Sequence, residues 1–164
     1  MGKEYCAIIL KRGMNKMIAK IKKIHNDARI PTRATDYSAG YDLYAYIQND
    51  NNNKIVIAPG ETAKIGTGIK IQPPNRYFCA IFARSGLATK NGIRPANCVG
   101  VCDEDYTGEY IVALHNDSSK SVIINNKDRV AQVVFLPYQD IKFVEVEDLD
   151  ITKRGNGGFG STGE

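Results

Sequence analysis

No stretch of this 164-residue sequence approaches about 18 uninterrupted apolar residues, which excludes a membrane-spanning helix. Cysteine is scarce: Cys6, Cys79, Cys98 and Cys102 are too few and too irregularly spaced for a disulfide scaffold. Histidine is scarcer still, and His25 and His115 stand apart from each other and from the cysteines. Cys98 and Cys102 therefore lack the second ligand pair that a structural zinc site requires, and the four cysteines read as buried thiols. The start has neither the apolar core nor the small-residue cleavage site of a secretory leader, so an intracellular protein, cytoplasmic or nuclear and not secreted, is expected. Gly2 is followed by Cys6 where an acylation signal wants Ser or Thr. No Gly-Lys-Ser/Thr follows a strand, so the Walker phosphate loop is missing. Internal repeats are absent, and no helical period is sustained through the first half.

What remains is ordinary globular composition, 43% apolar and 24% charged, with length for one domain and a real core. The net charge of +4 is unevenly placed. Residues 1–33 carry nine Lys or Arg against two acids, a balance of +7 that leaves −3 for the remainder. The basic character belongs to a solvated head; the body makes a poor polyanion surface, and no stable nucleic-acid binding is expected.

In chain order, residues 1–16 form a basic extension without a clean period, and irregular structure is expected there. Met17 to Ile24 alternates loosely with lysines, as an edge strand does, and Pro31 ends that element. Ser38 to Gly40 is turn chemistry leading into an aromatic strand from Tyr41 to Ala45. Asp50 to Asn53 reads as a hairpin tip. Ile55–Ile57 and Glu61–Ile71 read as strands, divided at Pro59 and Gly60 and closed by Pro73 and Pro74. Tyr77–Phe82, Val122–Ile124, Val130–Leu136 and Ile141–Val146 complete the strands, and Leu87–Lys90 is the one notable helical turn. Short strands with turn signals every 8 to 12 residues or so mean an all-β sandwich or barrel.

The densest chemistry lies between Asn97 and Glu109, where apolar residues around Gly100 lead into Asp103, Glu104, Asp105 and Tyr106. The pattern describes a hairpin with a polar tip, because Gly108 then opens an alternating run from Tyr110 to Leu114. A glycine in a strand admits a close backbone or a flat ligand, and one of the acids can serve as a general base. The same residues also read as an ordinary solvated acidic turn. Asp42, flanked by Tyr41 and Leu43 inside a strand, must face away from the core or meet a partner. Arg84, Ser85 and Gly86 at a strand-to-turn junction make an anion cradle or, more plainly, an exposed turn. Arg129 and Gln132 supply a second polar group beside an apolar run. The tail, residues 151–164, holds five glycines between Arg154 and Glu164. Such a segment cannot pack alone, yet its arginine, aromatic and hydroxyls are what a closing phosphate clamp needs.

In order and spacing, these five stretches resemble the trimeric deoxyuridine triphosphate nucleotidohydrolases, the dUTPases, over residues 17–163. The resemblance implies a jelly-roll-like β domain over 17–150, an arm over 151–164, and a homotrimer whose three active sites are each shared by all subunits. It implies hydrolysis of dUTP to dUMP and pyrophosphate, which keeps uracil out of DNA and supplies dUMP for thymidylate synthesis. Asn97, Gly100, Val101, Cys102 and Asp103 would hold uracil through backbone groups, against apolar walls too tight for thymine's methyl. Tyr106 would lie beneath the deoxyribose and exclude a 2′-hydroxyl. Asp103 would bind near the 3′-hydroxyl and activate the attacking water. Asp42 would hold water ligands of a Mg²⁺ carried mainly by the triphosphate. Arg84, Ser85, Gly86 and Gln132 would bind phosphates, with Arg129 acting by fixing the acids of the central stretch. From the arm, Phe159 would stack on uracil while Arg154, Gly160, Ser161 and Thr162 close on the γ-phosphate.

Three positions depart from the commonest pattern: Ala83 replaces a frequent proline, Cys102 an aliphatic residue and Thr107 a basic one. The related dCTP deaminases need a glutamate where Ala113 stands, which argues against deamination. A non-catalytic binding module of the same fold is the other alternative, and intact Asp103 and Tyr106 argue against that as the sole role.

Overall fold

Alternating apolar and polar residues, broken at short intervals by Gly, Pro and Asn, give a chain of brief antiparallel strands with a single short helix among the described residues. The structure is a computed structural model and describes residues 17–49 and 51–158. In chain order the elements are β1 (Lys20–Lys23), β2 (Tyr41–Tyr44), β3 (Lys54–Ile57), β4 (Thr62–Gly66), β5 (Ile69–Gln72) and β6 (Tyr77–Phe82). Then follow α1 (Ser85–Asn91), β7 (Ile93–Pro95), β8 (Gly100–Cys102), β9 (Ile111–Asn116), β10 (Val122–Asn125) and β11 (Arg129–Pro137). A four-stranded sheet has the order β2-β11-β6-β8 and a three-stranded one β4-β9-β7, with the ribbons β1-β5 and β10-β3 beside them. Each sheet contributes to one apolar core, through Leu43 and Val133, Ile65 and Leu114, Ile69, and Ile57 with Ile124. The all-β expectation holds.

Four expectations are corrected. Glu61–Ile71 is two strands, because Gly66, Thr67 and Gly68 turn the chain, with Gly68 at φ 67° in the left-handed region that glycine tolerates. The helical turn extends to Ser85–Asn91 and stops at Gly92, also left-handed at φ 66°, whose N–H donates to the Ala88 carbonyl at 3.0 Å. Asn97 to Leu114 is not a paired hairpin: β8 pairs with β6, whereas β9 pairs with β4 and β7. The two arms diverge into different sheets and leave a cleft between them. Ile141–Val146 is not a strand in this chain; its apolar side chains stand in solvent, with Phe143 92% exposed, because no sheet edge among the described residues receives them. The expectations for residues 1–16 lie outside the described residues.

The feature that most shapes the site is a bulge in β11. Arg129 is opposite Tyr44 and Ala131 is opposite Leu43, so Val130 is an extra residue, and both Val130 and Ala131 are buried. Residues three apart in a regular strand face opposite ways. The bulge instead puts Arg129 opposite Tyr44 and Gln132 opposite Asp42, both on the Asp42/Tyr44 face of β2.

Candidate active site

At that face, Asp42 is held by two guanidinium groups. Arg84 Nε donates to Asp42 Oδ1 at 2.7 Å, and Arg129 Nη1 donates to Oδ2 at 3.2 Å. The Asp42 side chain is 13% exposed, which suits a carboxylate satisfied on both oxygens. Arg84 is the last residue before α1, and its Nη1 reaches the Arg129 carbonyl at 3.3 Å. Gln132 donates from Nε2 to the Ala83 carbonyl at 2.9 Å, joining β11 to the residue before Arg84. A Cβ at Gly40 would lie 2.3 Å from Gln132 Oε1, so Gly40 leaves the room that this amide occupies. Ser85 and Gly86 open α1 and are exposed, with nothing within 4 Å of the space beside Gly86. The first amides of a helix have no intrahelical acceptor, so this corner offers guanidinium and N–H donors together. Among the described residues of one chain Arg129 pairs with Asp42 and with none of the acids of 103–105, a placement that follows from the β11 bulge.

The diverging arms of the central stretch enclose a second place. A cavity of about 240 Å³ is lined by Asn97, Gly100, Val101, Cys102, Asp103 and Tyr106, with Ile81, Pro95, Glu109 and Ile111 to Ala113 completing the wall. Pockets for whole drug-sized ligands run from roughly 300 Å³ upward, so this one suits a single flat ring better than a nucleotide. A tight turn shapes its mouth: Cys98 N–H donates to the Pro95 carbonyl at 3.0 Å, with Cys98 at φ 61°. A Cβ at Gly100 would come within 3.1 Å of Ile81 Cβ, so glycine allows β8 to lie close on β6. Asp103 is exposed at the rim and joins no ion pair among the described residues. Tyr106 donates its hydroxyl to the Glu109 carbonyl at 2.8 Å, and its ring lies 6.0 Å from that of Tyr110. Ala113 stands in this wall beside Ile111 and Val112.

The thiols divide by burial. Cys79 and Cys102 are opposite each other in the β6-β8 pair, Cys79 buried and Cys102 half-buried; Cys98 is exposed, which corrects its reading as a buried thiol. Burial pushes the Cys102 thiol up to about 11, with the charges of Cys79 and Asp103 adding to it. Burial also raises Cys79 and Tyr110, whose hydroxyl sits beside the Cys79 thiol without a hydrogen bond of good geometry. The histidines are structural: His25 stacks on Tyr46 at 4.4 Å, and His115 Nδ1 pairs with Thr62 Oγ1 at 2.8 Å.

Asp42, Arg84, Arg129 and Gln132 thus form one cluster, and Asn97 to Asp103 with Tyr106 form another; no member of the first lines the cavity of the second. Arg154 joins neither, donating from Nε to the Gly157 carbonyl at 2.9 Å within its own turn. Phe159, Gly160, Ser161 and Thr162 lie outside the described residues. Sequence reading missed Glu109, Ile81 and Pro95; the Gly108-Glu109 pair ahead of an alternating run was the available signal for the first.

A family model described as dUTPase matches residues 26–163. The chain is 44% identical over 153 residues to a deoxyuridine 5′-triphosphate nucleotidohydrolase of Desulfitobacterium hafniense, covering 92% of this chain and 99% of that protein. It resembles the structure of a Staphylococcus bacteriophage 80alpha dUTPase variant with dUpNHpp at a TM-score of 0.79 and 24% identity, over 90% of this chain and 99% of that one. A phage phi11 dUTPase variant, described with a structural Mg(II) ion, aligns at a TM-score of 0.71 and 21% identity, over 82% and 99%. With the model matching most of its length and a relative this similar covering nearly all of it, the chain belongs to the dUTPase family.

Proposed function

We propose that this chain hydrolyses dUTP to dUMP and pyrophosphate by water attack on the α-phosphorus, keeping uracil from DNA and supplying dUMP for thymidylate synthesis. The observation that carries the reading is the ring-sized cavity between β8 and β9 with Asp103 at its rim and Tyr106 in its wall. Asn97 and the backbone of Gly100, Val101 and Cys102 hold uracil, while Ile81 and Pro95 narrow the cavity against an added methyl. A steric wall is the effective device, since a methyl judged by affinity alone is worth only about 1–3 kcal/mol. Tyr106 lies under the sugar and blocks a 2′-hydroxyl.

Asp103 takes the proton of the attacking water as its oxygen bonds to the α-phosphorus; the bond to the bridging oxygen breaks, and pyrophosphate leaves. Charge gathers on phosphate oxygens, so positioning and electrostatics dominate, with Arg84, Ser85, Gly86 and Gln132 as donors. Among the described residues no three His, Cys, Asp or Glu side chains gather closely enough to hold an ion. A Mg²⁺ would take most ligands from the triphosphate and water, with Asp42, whose oxygens each retain a lone pair, accepting from one of those waters. When bound, it neutralises phosphate charge.

Two features support a homotrimer with shared sites. The phosphate cluster and the base cavity are separate within one chain, and Ile141 to Ile151 exposes six apolar side chains set among five charged ones, with Leu149 85% exposed. In a trimer that segment covers a neighbour, carries Arg154 and Phe159 to Thr162 over its site, and closes there on substrate. Among the described residues no helix is long and apolar enough to cross a membrane.

The test is pyrophosphate release with Mg²⁺ from dUTP, with dTTP, dCTP and UTP in parallel. Rapid release from dUTP alone, abolished by Asp103→Asn with dUTP binding retained, is the expected result. No release above a Mg²⁺-free control from folded protein overturns the enzymatic reading.

A further inference from the structure

We propose that Glu109 is a positioning residue that sets sugar selectivity, its carboxylate pinning the Tyr106 ring through the turn between β4 and β5. The proposal rests on the reading of Tyr106 as the floor beneath the deoxyribose.

Tyr106 is 41% exposed, so core packing alone does not fix its ring. Its hydroxyl is anchored on the Glu109 carbonyl at 2.8 Å, and the ring therefore goes where the peptide of Glu109 goes. That peptide is secured from behind. Gly68 N–H donates to Glu109 Oε1 at 2.8 Å, Thr67 Oγ1 donates to the Tyr110 carbonyl at 2.6 Å, and Tyr110 N–H donates to the Ile69 carbonyl at 3.0 Å. Three bonds from residues 67–69 thus hold residues 109 and 110.

The turn is itself rigid. Gly68 has φ 67°, and a Cβ there would lie 2.9 Å from Ala28 Cβ and 3.0 Å from Tyr46 Cγ. At Gly66 a Cβ would lie 2.8 Å from Glu109 Oε1, so the carboxylate occupies a slot that exists because position 66 has no side chain. Gly108 completes the arrangement, since a Cβ there would fall 2.4 Å from Tyr106 Oη. Rejection of a 2′-hydroxyl is steric and works only while the wall cannot yield. The Glu109 side chain is the one side-chain strut from residue 109 itself, acting beside the Thr67–Tyr110 and Tyr110–Ile69 bonds that also join this wall to the body of the fold.

The test compares kcat/KM for dUTP and UTP in wild type, Glu109→Ala, Glu109→Gln, Gly66→Ala and Tyr106→Ala. A ratio cancels any loss of active protein, which a merely structural role would produce. Glu109→Ala is expected to lower discrimination on the order of tenfold, about the worth of one well-placed hydrogen bond. Glu109→Gln keeps an acceptor oxygen and should stay near wild type. Gly66→Ala, outside the cavity, should displace the carboxylate and follow Glu109→Ala; it also carries the test where Glu109→Ala does not fold. Loss of discrimination in Tyr106→Ala with none in Glu109→Ala and Gly66→Ala overturns the proposal and leaves the reading of Tyr106 intact. Full discrimination in Tyr106→Ala overturns that reading and the proposal with it. Equal losses in Glu109→Ala and Glu109→Gln overturn the strut by making charge the cause.

Discussion

Replacing Asp42 by alanine removes the acceptor for two guanidinium groups whose surroundings differ, and this difference makes the effect calculable. Arg84 is 25% exposed and donates at 2.7 Å, a charge-assisted bond in a partly desolvated place worth roughly 1.5–3 kcal/mol. Arg129 is 51% exposed with a longer contact of 3.2 Å, and solvent screening reduces such a pair to about 0–1 kcal/mol. Asp42→Ala should therefore cost roughly 2–4 kcal/mol of stability, most of it through Arg84. Double-mutant cycles apportion the loss: urea unfolding of Asp42→Ala, Arg84→Ala, Arg129→Ala and the two doubles containing Asp42→Ala, at one protein concentration, since oligomer stability depends on it. The Arg84 bond to the Arg129 carbonyl vanishes in both arms of the first cycle and cancels. The coupling to Arg84 should exceed that to Arg129 by about 1 kcal/mol or more. A coupling to Arg129 as large as that to Arg84, or none to either, would refute the argument that burial and contact length set these energies.

Gly68→Ala meets both left-handed strain and the Ala28 and Tyr46 side chains, and should cost roughly 2–4 kcal/mol in thermal unfolding. Gly60→Ala, at φ 75° with nothing within 4 Å, should cost only about 1–2 kcal/mol, and equal losses would deny the packing contribution. Iodoacetamide should label exposed Cys98 ahead of Cys102 near neutral pH, with Cys102 labelling rising roughly tenfold per pH unit toward about 11, as peptide mapping would resolve. Because the folded Cys102 pKa lies above the ordinary 9.0, its contribution to stability is complete below pH 9 and is lost as pH rises through about 11. Cys102→Ala should flatten that alkaline decline, and an unchanged pH profile would count against burial as the cause.

Most strands could be read locally, since Tyr77–Phe82 and Val130–Leu136 are bounded by turn residues a few positions away. The three-residue β7 was too short to register, and Ile141–Val146 carries a strand pattern with no edge to pair with among the described residues. The functional side chains around Asp103 were legible because they are neighbours in sequence. Glu109 was not, because the groups that give it meaning, Gly66 and the Gly68 amide, lie some forty residues earlier.

By itself the sequence determined the all-β class, most of the strands, the acids, guanidiniums and aromatic available for chemistry, and the family whose spacing they share. These follow from alternation and turn propensity, which act over a few residues. The partners of each strand were decided only in three dimensions. Pairing of β8 with β6 opened the cavity, the extra Val130 turned Arg129 and Gln132 onto one face, and the 67–69 turn secured the peptide beneath Tyr106. Distant strands choose one another by burying a common core, and no local pattern encodes that choice.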